Sequence, residues 1–135
     1  MKTYSISEVA EKYQLQASTL RYYEQLGLIF NVPRSHGRRI YNDNHLSRLS
    51  TICCFKNAGM NLTEIKELFE LDSDSKNTEL ICNILAEREQ KIAQTIAELQ
   101  ENQRHLNRKI AYYQAIKRAE ETGKPRPEWK EYKQL

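Results

Sequence analysis

Apolar residues recur at helical spacing from the start of the chain. Ile6, Val9 and Ala10 share one face of a segment opened by Ser5 and Glu8, a pairing in which hydroxyl and carboxylate cap each other's backbone amides. A helix from 6 to about 13 is predicted. After the turn Gln14-Leu15-Gln16-Ala17, Ser18 is placed to cap a second short helix that runs to Leu26 and stops at Gly27. Two short helices around a tight turn, the second carrying polar and aromatic side chains, are the layout of a helix-turn-helix. The pattern then becomes extended. Leu28-Ile29-Phe30 and Ile40-Tyr41 flank Pro33, the turn Ser35-His36-Gly37 and three arginines, which predicts a hairpin with a basic tip, a wing. Helical spacing returns with Leu46, Leu49, Ile52 and Cys53, in a helix from Asn42 or Asp43 to Gly59. It continues with Ile65, Leu68 and Phe69, in a helix from Leu62 or Thr63 to about Leu71.

From Glu79 to Glu121 there is neither Pro nor Gly, so a single helix about 60 Å long is predicted. Leu85, Ile92, Leu99, Leu106 and Tyr113 recur every seven residues along it. Ile96 and Ile110 fill alternate seam positions, while Glu89, Gln103 and Lys117 interrupt the others. A stripe of that length exceeds what the preceding head can cover, and a coiled coil with a second copy is the economical solution. The alternatives are a helix folded over its own domain or broken near Gln103. The expected fold is mostly α: a winged helix-turn-helix with a small β-hairpin wing and a helix pair over 1–71, a linker over 72–78, a dimerisation helix over 79–121, and a loosely ordered tail over 122–135. Within that tail Trp129 and Tyr132 are placed to dock back onto the protein.

Composition adds direction to this outline. The 135 residues leave room for about one domain and an extension. Residues 1–56 carry eight Lys or Arg against four Asp or Glu, whereas residues 57–78 carry two against five, so the basic excess lies where a polyanion would dock. No apolar run reaches membrane length and the first residues lack a signal-peptide pattern, which gives the expectation of a cytoplasmic protein without membrane contact. Cys53, Cys54 and Cys82 form no CxxC pair and no zinc spacing with His36, His45 and His105. Neither a disulfide scaffold nor a metal or other cofactor is signalled. Hydrolase and phosphate-loop motifs are absent, and His45 sits on a different helical face from Cys54, so an enzyme is not expected.

The string YSISEVAEKYQLQASTLRYYEQLGLI, the wing ending GRRIY and the segment NDNHLSRLSTICCFKNAGMNLTEIKELF together resemble the MerR family of transcription regulators. The resemblance covers residues 4 to about 71, and extends through the long helix to 118 less specifically. It implies a homodimer with two winged heads held apart by an antiparallel coiled coil. It further implies binding to double-stranded promoter DNA whose two elements are spaced too far apart, and distortion of that DNA so that RNA polymerase engages both. Arg21 is then a phosphate or backbone anchor, with Tyr22 beside it and Tyr23 in the core. Ser18 and Thr19 lie at a helix start that suits a phosphate oxygen, although a purely structural cap is an equal reading of Ser18. Gln16 lies just before them. On the wing, Arg38 is the principal contact by family position, accompanied by Arg34, Arg39 and the tip residue His36, with Tyr41 buttressing the hairpin; a merely solubilising tip is the bland alternative.

The cysteines divide the family's branches. Metal-sensing members hold ligand thiols at the start of the long helix and in a loop after it; Cys82 is near the first position, but no cysteine follows it. A large drug-binding domain is also missing. Within STICCFKNAGM, Cys54 falls where the thiol-based branch, responsive to aldehydes, other electrophiles or nitrosative stress, carries its sensor. By helical angle Cys53 faces the core with Leu46, Leu49 and Ile52, and Cys54 points elsewhere. Reactivity would need a lowered pKa, for which Lys56, His45 or a tyrosine is available in the sequence. The expectation is activation on modification of Cys54 by a small electrophile. A metal- or ligand-responsive regulator of the same fold, and a non-sensing DNA-binding protein, remain the alternatives.

Overall fold

In the computed structural model, which describes residues 2–133, the order is β1 (Thr3–Ser5), α1 (Ile6–Tyr13), α2 (Ala17–Gln25), β2 (Arg34–Ser35), β3 (Arg38–Asn42), α3 (Asp43–Asn57), α4 (Leu62–Asp72) and α5 (Thr78–Thr122), with a 3₁₀ turn at Trp129–Glu131. The chain forms two compact units, Met1–Arg88 and Glu89–Leu135.

The capping pattern at Ser5 is realised in full: the Ser5 hydroxyl accepts the Glu8 amide at 3.1 Å, and the Glu8 carboxylate accepts the Ser5 amide at 3.0 Å. α1 ends on Gln14 in the left-handed conformation, φ 55°, and the Leu15 amide returns to the Ala10 carbonyl at 2.9 Å. This reversal puts Leu15 against the core and starts α2 earlier than expected. Gln16, not Ser18, is its N-cap, without a side-chain cap, and the Ser18 hydroxyl donates to Gln16 Oε1 at 3.3 Å. α2 buries Leu20 and Tyr23.

Leu28 and Ile29 are core residues rather than the first wing strand. Both amides return to the Tyr23 carbonyl, closing the end of α2, because these side chains are worth more buried than on a two-residue edge strand. The hairpin itself is tighter than expected. His36 and Gly37 have φ of 54° and 77°, the pair of positive values that a two-residue hairpin turn of the primed type needs. β1 adds a third strand in the order β1-β3-β2, pairing Thr3 with Asn42, Tyr4 with Tyr41 and Ser5 with Ile40.

α3 and α4 are each capped by an asparagine, Asn42 with His45 and Asn61 with Glu64. Their buried faces hold Leu46, Leu49, Ile52, Ile65 and Leu68, with Cys53 and Phe69 partly buried beside them. The N-terminal unit extends past the expected boundary at 71. Ile81 and Ile84 of α5 pack on the same core, and Arg88 pairs with Glu64 at 3.1 Å.

In the C-terminal unit Trp129 and Tyr132 of the tail dock onto the long helix. The Tyr112 ring meets Trp129 at 5.4 Å and Tyr132 at 5.6 Å, and the Lys109 ammonium lies 3.9 Å from the Trp129 ring centre. Ala115, Ile116 and Ala119 are buried there. The seven-residue stripe, by contrast, is uncovered: Leu99 and Leu106 are 61% and 62% exposed, and Leu85, Ile92, Ile96, Ile110 and Tyr113 are exposed with them.

Candidate nucleic-acid interface

Burying Leu20 and Tyr23 on one side of α2 leaves Gln16, Ser18, Arg21 and Tyr22 exposed, while Thr19 is half-buried. Beside this helix stands the wing, whose arginines are sorted by the pleat of β3. Arg38 and Arg39 are adjacent and point to opposite faces. Arg38 is exposed opposite Ser35. Arg39 turns inward, stands directly across from Arg34, and donates from Nε to Glu24 Oε2 of α2 at 2.6 Å. Glu24 offsets what would otherwise be an unfavourable cross-strand pair of like charges. Tyr41 shares the inward face with Arg39 and is 1% exposed, so it belongs to the core beneath the wing and not to a contact surface. Burial pushes its hydroxyl pKa up. At the tip, His36 hydrogen-bonds the Ser35 hydroxyl through Nδ1 at 3.1 Å and is exposed with Arg34.

These parts converge on a concavity of about 360 Å³ walled by Ser5, Ile6 and Ser7 at the head of α1, by Arg21, and by Gly37, Arg38 and Arg39 of the wing. Ser5 satisfies the Glu8 amide, whereas the amides of Ile6 and Ser7 belong to a first turn that has no intrahelical acceptor. Among the described residues no ion pair involves Arg21, Arg34 or Arg38. Two unpaired guanidinium groups beside amide donors suit an oxyanion such as a backbone phosphate. Ser7 and the α1 amides were not singled out in the sequence; the S-x-x-E signal marked only a cap. Glu24 was also missed, since nothing local signals a carboxylate whose partner lies fifteen residues away.

The thiols are spread apart in role. Cys54 and Cys82 are exposed and Cys53 is half-buried. Burial raises the Cys53 thiol pKa, against an opposing pull from Lys56. The activating groups named from sequence are engaged elsewhere. Lys56 donates to the Tyr23 hydroxyl at 3.1 Å. His45 accepts the Asn42 amide through Nδ1 at 3.0 Å and turns Nε2 to the Phe30 and Asn31 carbonyls, both at 3.1 Å, which makes it a buried strut between α3 and the loop before the wing. Among the described residues, no group of three or more His, Cys, Asp or Glu is placed to hold a metal ion.

The family described as MerR HTH family regulatory protein matches residues 4–72, and the one described as MerR, DNA binding matches residues 46–109. The chain is 39% identical over 107 residues to the HTH-type transcriptional regulator ZntR homolog of Haemophilus influenzae, covering 78% of this chain and 76% of that one. It is 37% identical over 90 residues to the HTH-type transcriptional regulator AdhR of Bacillus subtilis, covering 65% and 64%. Its fold is similar, with a TM-score of 0.76 and 34% identity over 91% of this chain and 92% of that one, to the crystal structure of HiNmlR, a MerR family regulator lacking the sensor domain, bound to promoter DNA.

Proposed function

The chain belongs to the MerR family of helix-turn-helix regulatory proteins, and on that premise we propose that it is a homodimer that seats two α2 helices and two wings on a promoter and activates transcription by distorting the DNA for RNA polymerase. It is a DNA-binding transcription regulator. The observation that carries the reading is the concavity where Arg21, Arg38 and the head of α1 meet beside the exposed face of α2. Arg21, Arg34, Arg38 and the α1 amides contact phosphate, while Gln16, Ser18, Thr19 and Tyr22 face the groove and His36 lies at the edge. Arg39 is shared between Glu24 and the backbone. The test is binding of the full chain to a duplex from the region upstream of its own gene, measured against salt. A steep fall in affinity with rising salt supports the reading, and a flat response removes it.

Two effector readings follow. Activation on addition of an electrophile such as an aldehyde to Cys54 is supported by the exposure of that thiol. A same-fold regulator that answers to a metal or small ligand, or that binds DNA without sensing, has the stronger support. Relatives bearing different regulator names, ZntR homolog and AdhR, match at nearly equal identity, and HiNmlR is bound to promoter DNA while lacking a sensor domain. Transcription in vitro from the upstream promoter, with wild type and Cys54→Ser before and after a mild thiol electrophile, separates them. Activation of wild type alone assigns the sensor to Cys54. Activation of both moves the sensor to Cys53, Cys82 or elsewhere, and activation of neither while DNA binding persists selects the second reading.

A further inference from the structure

Arg48 of α3 is a half-buried cation, and among the described residues no ion pair involves it. Its Nε donates to the Leu28 carbonyl at 2.9 Å, and its guanidinium carbon lies 3.4 Å from the centre of the Phe69 ring and 5.5 Å from that of Phe30. One hydrogen bond and two rings thus hold the fork, and neither Nη group has a protein partner. Both are open to solvent, since among the described residues the buried side-chain polar atom that lacks a partner is the Tyr41 hydroxyl. Burial holds the Arg48 pKa below its ordinary value, and the charge of Asp72 offsets this only in part. Glu70 lines a neighbouring hollow with Arg48, yet it too stays outside ion-pair distance. A charge drawn partly out of water is ordinarily paired. The open fork therefore points to an anion from outside the chain.

The space beside the fork has the size and walls for one ring. Arg48 lines a concavity of about 330 Å³ with Phe30, Asn31, Asn42, Asn44 and His45, at the small end of ligand pockets. This concavity shares no lining residue with the one at Arg21 and Arg38. Its walls are held in place: His45 is buried and turns Nε2 to the Phe30 and Asn31 carbonyls, both at 3.1 Å, which ties the loop before the wing to α3. On that loop Ile29 is in the core while Phe30 is 57% exposed, an aromatic wall that the fold itself leaves uncovered. We propose that the concavity binds a small aromatic carboxylate, whose carboxylate is taken by the two Nη groups of Arg48 and whose ring lies against Phe30. The inference deepens the ligand-responsive reading above by giving it a site and a ligand class. An occupant there bridges α3 and the loop that leads into the wing.

The experiment is an NMR titration of the full chain, without DNA, with sodium benzoate, followed at the Phe30 and Asn31 amides and at the Arg48 Nε–H. Saturable shifts at these groups are expected. Acetate, which lacks the ring, and inorganic phosphate, which lacks both ring and planar fork, are each expected to bind about tenfold more weakly. Arg48→Lys keeps the charge and loses the fork, and is expected to weaken benzoate binding about tenfold. Phe30→Ala alters an exposed side chain, keeps the test open should Arg48→Lys lose its fold, and is expected to cost roughly fivefold. Arg38→Ala is expected to bind benzoate as wild type does. No saturable shift, benzoate binding that survives Phe30→Ala and Arg48→Lys, or phosphate bound as well as benzoate overturns the site. If benzoate binds here and changes neither affinity for the upstream duplex nor transcription from it, the site stands and the ligand-responsive reading fails.

Discussion

Adjacent arginines on β3 meet different fates because the pleat sends one out and one in, and only the inward one finds a carboxylate. The basic run was legible in the sequence as a wing tip; which arginine is free was not, since Glu24 is distant in sequence and close only after α2 and the hairpin pack. Strand alternation likewise places Tyr41 beneath the wing. Arg38→Ala is expected to weaken DNA binding broadly and to lower the slope of log affinity against log salt by about one, the signature of one lost phosphate contact. An unchanged slope would remove Arg38 from the interface. Gln14 carries a different residue-scale cost, a left-handed φ of 55° without glycine's freedom. Gln14→Gly should raise stability by roughly 0.5–1 kcal/mol in urea unfolding, since the left-handed penalty of about 1–2 kcal/mol for an L-residue is offset in part by glycine's entropy loss of about 0.5–1 kcal/mol, with DNA affinity retained.

The helices were legible element by element because their apolar spacing and capping residues agree. The short pieces were not. β1 spans three residues and exists only through its pairing with β3, so no periodicity can announce it. Ser18 looked like a cap because of its side chain, yet the burial of Leu15 fixes the turn and so decides that Gln16 occupies that place. The cap on α1 makes a prediction at this scale. Glu8 is held below its ordinary pKa of 4.5, first by the Ser5 amide it accepts and then by the Ser5 hydroxyl. A carboxyl with a depressed folded value contributes its stability in full above the unfolded pKa and loses it as pH falls through the folded one. Ser5→Ala should therefore cost about 1 kcal/mol near neutral pH, and the difference from wild type should shrink as the pH drops below about 4. Thermal melts of both proteins between pH 7 and 3 would show this. A gap that stays constant would separate the cap from Glu8's charge.

At the scale of the whole molecule, the repeat of Leu85, Ile92, Leu99, Leu106 and Tyr113 is symmetric about Leu99, and its exposure in a single chain leaves the pairing direction to be fixed by charge. Residues 78–98 carry four acidic and two basic side chains, and residues 100–120 carry five basic and two acidic. Two copies running parallel would set like against like along the whole seam, whereas antiparallel copies set the acidic half against the basic half. A two-fold axis at Leu99 then places Ile92 of one copy opposite Leu106 of the other. With Cys53, Cys54 and Cys82 replaced by serine, Leu99→Cys should cross-link to itself on mild oxidation. Ile92→Cys and Leu106→Cys should each fail alone and cross-link when the two variants are mixed, because a bridge needs Cα atoms within about 7 Å. Parallel pairing gives the opposite result, with every single variant bridging to its own copy. A chain that folds its stripe against itself gives no cross-linked dimer in any arrangement. The same geometry ties pairing to DNA: Leu99→Lys with Leu106→Lys should yield monomers by analytical ultracentrifugation, and these should bind a half-site while losing the affinity that two joined heads gain from a whole one.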